Sequence, residues 1–233
     1  PEVLLSYILR ELAHEKDMKG LKVCVTAGPT RETIDPVRFI SNRSTGKMGF
    51  ALAKNAMERG ADVTLVSGPV ELKDVPFVKM VHVESARQMF EAVTKEAETA
   101  DIIVKAAAVA DYRPAVVADE KIKKKDGDMS IALERTDDII GTLGKTKRDN
   151  LFLCGFSMET EHMLENSKAK LEKKNLDMII ANNVKVKGAG FGTDTNVVTL
   201  ITKDEIKELP IMSKEDVADE IFNNILANRK GIV

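Results

Sequence analysis

The sequence predicts a doubly wound, mostly parallel α/β sheet of the Rossmann-like kind that ends in an antiparallel hairpin. Short β-branched runs alternate with segments of helical periodicity along most of the chain, which calls for parallel strands joined by crossover helices. The first two strand-like runs each stop at a Gly-Pro turn, Gly28-Pro29 and Gly68-Pro69. Late in the chain two strand-like runs are separated only by Lys203-Asp204-Glu205, the spacing of a hairpin.

In chain order, residues 3–14 form an amphipathic helix, followed by a charged turn at 15–20. Lys22-Val23-Cys24-Val25-Thr26-Ala27 is a buried strand feeding a turn. Residues 48–59 place Phe50, Leu52, Ala53, Ala56 and Met57 at helical spacing and stop at Gly60. Residues 62–67 are the second strand. Ser85 is an N-cap for a helix carrying Met89, Phe90, Val93 and Ala97 on one face. Residues 101–105, 130–134, 151–156 and 177–181 continue as strands, and 161–174 as a helix. Residues 197–202 and 206–209 make the hairpin, and Ser213 caps a final helix that runs to Asn228.

The chain has 233 residues, enough for one large domain or a domain with an appendage. Its 35 Lys and Arg against 37 Asp and Glu give a net charge of −2, which argues against a nucleic-acid coat. Apolar runs are far shorter than the ~20 residues that span a bilayer, so no membrane partner is expected. Cys24 and Cys154 lie in apolar runs without CxxC spacing or a neighbouring histidine, which fits a reducing cytoplasm rather than a disulfide or zinc framework.

Ligands of parallel sheets bind beyond the carboxyl ends of the strands, which directs attention to the loops after Ala27, Lys105, Phe156 and Ala181. The first of these, residues 28–49, is long and carries Arg31, Arg38, Arg43, Lys47, Asn42 and several hydroxyls into a helix N-terminus. It fits neither GxGxxG nor a Walker A loop, where Ser41 and Met48 stand at the diagnostic positions. The residues suit a phosphate or carboxylate; a solvated surface loop is the alternative. Ala106-Ala107-Ala108-Val109-Ala110-Asp111 allows close backbone approach of a ligand, with Asp111 as acceptor, or else serves tight packing. Lys121, Lys123, Lys124 and Lys125 form either a solvated edge or a polyphosphate clamp. Phe156 stands at a strand end, and Lys170 and Lys174 share a helix face. Asn182-Asn183 and the glycine-rich stretch from Gly188 to Asp194 form a candidate lid.

Taken together, Thr26-Ala27-Gly28-Pro29-Thr30-Arg31-Glu32, Asp35-Pro36-Val37-Arg38-Phe39-Ile40-Ser41-Asn42, Ser44-Thr45-Gly46-Lys47-Met48-Gly49, Ala107-Ala108-Val109-Ala110-Asp111-Tyr112 and Lys121-Ile122-Lys123-Lys124 resemble bacterial phosphopantothenoylcysteine synthetase. The resemblance covers about residues 20–230. It implies an acid–amino-acid ligase of coenzyme A biosynthesis in which 4′-phosphopantothenate attacks the α-phosphorus of CTP, and cysteine then attacks the acyl-cytidylate, releasing CMP. Eukaryotic relatives use ATP; the bacterial look of the motifs implies CTP. By the same resemblance Asn42, Arg38 and Lys121 are catalytic. Lys105, Ala106, Ala107, Asp111, Lys121, the turn Asp137-Asp138-Ile139-Ile140, Phe156, Lys170 and Lys174 bind nucleotide. Arg38, Asn42, Ala107 and Ala108 bind the acyl substrate. Asp137 stands where relatives carry proline, and Lys105 where they carry a small or apolar residue.

The family also implies Mg²⁺ with the triphosphate, held largely by phosphate oxygens and water, and a homodimer whose sites draw on both subunits. In bifunctional members a flavin-dependent decarboxylase precedes this domain. Residues 1–20 are then a linker remnant, residues 21–233 the ligase domain, and no flavin is expected in it. The rival reading, an NAD(P)-dependent oxidoreductase on the same sheet, lacks GxGxxG and the Tyr-Lys spacing, since Val116 stands four residues after Tyr112.

Overall fold

The structure is a computed structural model, and it describes residues 2–124, 127–158, 162–182, 190 and 192–229. Along the chain run α1 (Glu2–Leu12), β1 (Lys22–Ala27), β2 (Arg31–Thr33), β3 (Phe39–Ser41), α2 (Lys47–Glu58), β4 (Asp62–Ser67) and β5 (Lys79–His82). Next come α3 (Ala86–Ala97), β6 (Ile102–Lys105), β7 (Tyr112–Pro114), β8 (Leu133–Arg135), α4 (Ile139–Lys145) and β9 (Phe152–Met158). The last third holds α5 (Met163–Lys173), β10 (Met178–Asn182), β11 (Thr195–Asn196), β12 (Val198–Thr202), β13 (Ile206–Glu208), β14 (Met212–Ser213) and α6 (Lys214–Asn228).

Eight strands form one sheet in the order β13-β12-β10-β9-β6-β1-β4-β5. From β10 to β5 all pairings are parallel, while β10–β12 and β12–β13 are antiparallel. This is the doubly wound sheet with a C-terminal hairpin that the alternation predicts. The order reverses at β1: the chain moves outward through β4 and β5, then returns to lay β6 on the other side of β1. A crevice therefore opens between the loops that follow β1 and β6.

Period-two alternation sends successive strand residues to opposite faces. Val23, Val25 and Ala27 meet Leu52, Ala53 and Ala56 of α2 and Ile221 and Phe222 of α6 in one core. Cys24, Val66 and Ile103 meet Met89 and Val93 of α3, Leu143 of α4 and Leu171 of α5 in the other. Burial pushes both thiols up, Cys24 to about 12, so neither supplies a thiolate near neutral pH. Ser85 caps α3 in a reciprocal capping box with Gln88, and Ser213 accepts the Asp216 N–H at the head of α6.

Several elements differ from expectation. The strand expected at 130–134 is the three-residue β8, paired antiparallel with β7 outside the main sheet. The loop after β1 folds into the β2–β3 hairpin. The turn 137–140 opens α4, with Asp138 as its N-cap and Ile139 and Ile140 buried. Met18, in the expected linker, is fully buried in the first core. Among the described residues no helix is long and apolar enough to cross a membrane.

Helix α2 is pressed onto β1 at Gly49, where a Cβ would lie 2.5 Å from Ala27 Cβ and 2.8 Å from Thr26 O. Gly49→Ala should therefore destabilise the fold: an overpacking cost of ~1–3 kcal/mol outweighs the ~1 kcal/mol of helix propensity that alanine brings. Gly192→Ala, with nothing within 4 Å of its Cβ, should be close to neutral. Urea denaturation of the two variants checks this; equal midpoints would contradict the close approach.

Candidate active site

The two loops at the reversal of strand order are tied together by hydrogen bonds. Thr26 Oγ1, fully buried, accepts the Ala107 N–H at 3.0 Å, and Thr30 Oγ1, also fully buried, accepts the Ala110 N–H at 3.0 Å. The Ala108 N–H donates to Gly28 O at 2.9 Å, and Asn42 Nδ2 donates to Ala108 O at 3.0 Å. On the far side Thr136 Oγ1 donates to Ala110 O at 2.6 Å. A segment of small residues, otherwise without side-chain anchors, is thus held by its own backbone.

This segment separates two cavities. One, of about 370 Å³, is lined by Asn42, the start of α2 from Gly46 to Gly49, Ala106–Ala108, Asp111, Phe156, Asn182 and Lys214. Gly46, in the left-handed conformation at φ 80°, gives α2 no capping side chain, so helix N–H groups border the space. The other cavity, of about 360 Å³, is lined by Lys105, Val109–Tyr112, Arg135–Ile139 and Lys174. Asp111 belongs to both walls, and no partner holds its carboxylate among the described residues.

Charge is arranged unevenly around them. Desolvation, reinforced by Lys170, lowers Lys105 to about 8, against the opposing pull of Asp111 and Asp138. Lys174 pairs with Asp138, which also accepts the Gly141 N–H at 3.0 Å. Asp138 pays for desolvation, yet these bonds hold its carboxyl below the usual range. At the rim of the first cavity Lys47 donates to Asp194 Oδ1 at 2.6 Å and to Gly192 O at 3.2 Å. Lys214 donates to Gly190 O at 3.0 Å and to Thr193 O. These bonds fasten the described end of the candidate lid; Asn183, Gly188, Ala189 and Phe191 lie outside the described residues, as does Lys125 of the lysine run.

Of the residues expected at the site, Asn42, Ala106, Ala107, Ala108, Asp111 and Phe156 come together in the first cavity, and Lys105, Asp137, Asp138, Ile139 and Lys174 in the second. Phe156 thus walls the cavity on the Asn42 side rather than the one at Lys105. Ile140 is buried beneath β9, where its Cδ1 lies 2.5 Å from the Cβ position of Gly155. Lys170 bears on Lys105 electrostatically without lining either cavity. Arg38 and Lys121 also lie outside both walls, Arg38 because it is engaged by Asp35. Thr26, Thr30 and Asp35 lie inside the motif segments and Thr136 outside them, but none was assigned a role, because each bonds a backbone group far away in sequence.

The sequence profile of the DNA/pantothenate metabolism flavoprotein C-terminal domain matches residues 18–228. The chain belongs to this family. It is 49% identical to the coenzyme A biosynthesis bifunctional protein CoaBC of Bacillus subtilis, over 99% of this chain and 57% of that protein. With CoaBC of Escherichia coli K12 it shares 42% identity over 97% of this chain and 56% of the relative. The chain thus spans somewhat more than half the length of these relatives. The crystal structure of the C-terminal domain of CoaBC superposes with a TM-score of 0.77 at 44% identity, covering 89% of this chain and 95% of that one. A complex of the Cab2 H337A mutant with phosphopantothenate-cysteine shares the fold, with a TM-score of 0.73 at 16% identity over 97% of this chain and 90% of that one. The resemblance read from the motifs holds, and so does the fold class.

Because Lys105 loses its charge through about pH 8, a polyanion in the second cavity should bind more weakly as pH rises from 7 to 9. Titration calorimetry with inorganic pyrophosphate should give an affinity loss of up to about ten-fold in the wild type and a flatter profile in Lys105→Gln. Parallel profiles for both proteins would show that Lys105 does not face the anion.

Proposed function

We propose that the chain is a CTP-dependent phosphopantothenate–cysteine ligase that makes 4′-phosphopantothenoylcysteine through an acyl-cytidylate. The observation that carries this reading is the pair of cavities meeting across residues 106–111 with Asp111 in both walls. Two substrates that must exchange a bond need adjoining sites with a shared border. The similarity to CoaBC relatives, and the phosphopantothenate-cysteine named in the Cab2 complex of the same fold, support the choice of substrates.

In this reading the nucleotide takes the cavity at Lys105, Asp137–Ile139 and Lys174, with Lys170 and Lys121 adding positive charge and Ile140 backing the wall. The acyl substrate takes the cavity at Asn42, Ala107 and Ala108, with Arg38 beyond its rim, and the nucleotide reaches across the shared border to Ala106, Ala107 and Phe156 in the same wall. A substrate carboxylate oxygen forms a bond to the α-phosphorus while the α–β phosphoanhydride bond breaks and pyrophosphate leaves. The cysteine amine then attacks the acyl carbon, CMP departs with the C–O electron pair, and the amine gives up a proton. Neither step requires a covalent nucleophile on the protein; positioning and charge neutralisation suffice. Asn42, whose Nδ2 is committed to Ala108 O, keeps its carbonyl oxygen for the acyl-cytidylate or the incoming amine.

Mg²⁺ accompanies CTP in this reading. Among the described residues there is no group of three or more His, Cys, Asp or Glu that could hold a metal. The carboxylates of Asp111 and Asp137 on the cavity walls fit a hard cation held mainly by phosphate oxygens and water. Bound there, the ion would neutralise triphosphate charge.

Two further parts belong to the proposal. Val37 and Phe39 of the β2–β3 hairpin, which flank Arg38, and Val116, Val117 and Leu133 around β7 and β8 are exposed apolar side chains, which supports burial against a second copy in a homodimer. The length of the relatives supports an upstream flavin-dependent decarboxylase joined through residues 1–20, with the flavin confined to it. A cytoplasmic setting, with no nucleic-acid or membrane partner, completes the reading.

Purified protein given CTP, Mg²⁺ and phosphopantothenate should release pyrophosphate, with CMP appearing only once cysteine is added. Pyrophosphate release that ignores phosphopantothenate, or hydride transfer to NAD(P), would contradict the proposal.

A further inference from the structure

Asp35 has no place in the ligand cavities, yet it is among the most heavily bonded side chains of the protein. Its residue is only 1% exposed. Oδ1 accepts the N–H groups of Val37 and Arg38, each at 2.9 Å. Oδ2 accepts Arg38 Nε at 3.0 Å, Arg38 Nη2 at 2.5 Å and the Ile122 N–H at 3.1 Å. Arg38 Nη2 also donates to Ile122 O at 3.1 Å. The Asp35–Arg38 pair therefore holds both polar backbone groups of Ile122, 87 residues away in sequence from Asp35. A second tie, from the Ala118 N–H to Ile34 O at 3.0 Å, fixes the same stretch.

The stretch so held is the start of the lysine run. Lys121, Lys123 and Lys124 are exposed, and Ile122 between them is half-buried. Without the tie, residues 115–124 would leave β7 with little to set their course, and the side chains of Lys121, Lys123 and Lys124 would fan out under mutual repulsion. A carboxylate buried at this position costs heavily unless its lone pairs are filled, and here five donors fill them. Arg38 holds the carboxyl well below the usual carboxylate range, so the tie stays ionised throughout the neutral range.

We propose that Asp35 is a positioning residue that couples the acyl-substrate arginine to the triphosphate lysine, by holding the Arg38 guanidinium and, through Ile122, the backbone that carries Lys121. The roles of Arg38 and Lys121 rest on the reading under Proposed function; the tie itself does not. One constraint thus sets two charged groups that belong to different substrates.

Two variants break the tie from opposite ends: Asp35→Asn removes the charge, and Ile122→Pro removes the N–H while leaving the carboxylate and Arg38 intact. Limited trypsin digestion should cleave after Lys123 or Lys124 about ten-fold faster in each variant than in the wild type, with far-UV circular dichroism unchanged. In the pyrophosphate-release assay each should raise KM for CTP about ten-fold with a smaller change in kcat and no change in the pH profile. Lys121→Gln should do the same, and the KM for CTP of the double variant Asp35→Asn/Lys121→Gln should be no higher than that of Lys121→Gln alone. Multiplying effects on KM for CTP in the double variant, or cleavage as slow as in the wild type for Ile122→Pro, would overturn the proposal. If Asp35→Asn fails to fold, Ile122→Pro decides. A wild-type protein inactive with CTP and phosphopantothenate would defeat the functional reading, while the digestion arm would still decide the tie.

Discussion

The hydrogen bonds that Thr26 and Thr30 make to the backbone of Ala107 and Ala110 set the distance on which the site depends. A parallel sheet supplies the crevice at the reversal of strand order, but it does not say how wide the crevice is. Each threonine is fully buried and accepts a main-chain N–H that has no ladder partner beyond the end of β6. Leaving such a donor unmet would cost ~1–3 kcal/mol, so the alanine segment is held at a fixed separation from the β1 loop. Asn42, bonded to Ala108 O, extends the same clasp into the first cavity. The small side chains follow from this: the backbone itself is the wall, and bulk there would fill the cavities.

Electrostatics builds on that frame by pairing some cations and leaving others open. Lys47, Lys174 and Arg38 are each committed to a carboxylate, at Asp194, Asp138 and Asp35. Lys105 pays for desolvation and loses part of its charge near neutral pH, while Lys121 has no ion-pair partner among the described residues. Pairing fixes where the committed groups stand, whereas the others are held by no carboxylate among the described residues. The net charge of −2 hides this division, because each committed cation is cancelled locally by its partner.

Legibility in the sequence followed the length and regularity of each element. Strands β1 and β4 and the capped helices α3 and α6 were predicted nearly to the residue, because buried strands read as β-branched runs and caps have distinctive chemistry. Strand β5 was not, since Lys79–His82 is an edge strand with half-exposed residues and no clean alternation. The hairpin β2–β3 and the seven-residue α4 are too short for periodicity to mark and owe their form to what they pack against. At the site, Asn42 and Asp111 stood out through their motifs. Thr26, Thr30 and Asp35 lie in the same motif segments, but their roles were not legible, because a hydroxyl or carboxylate that serves a distant backbone N–H looks in sequence like any other polar residue. Phe156 was visible as a strand-end aromatic, but the cavity it walls depends on sheet order, which no local pattern encodes.

The dissociation constant for CTP of Thr30→Val against Thr30→Ser, measured by titration calorimetry on folded protein, tests the clasp most directly. Serine keeps the acceptor for Ala110 N–H and valine removes it at nearly the same volume. The clasp predicts wild-type affinity for Thr30→Ser and a loss of about ten-fold or more for Thr30→Val. Equal affinities in the two variants would mean that the width of the crevice is set elsewhere.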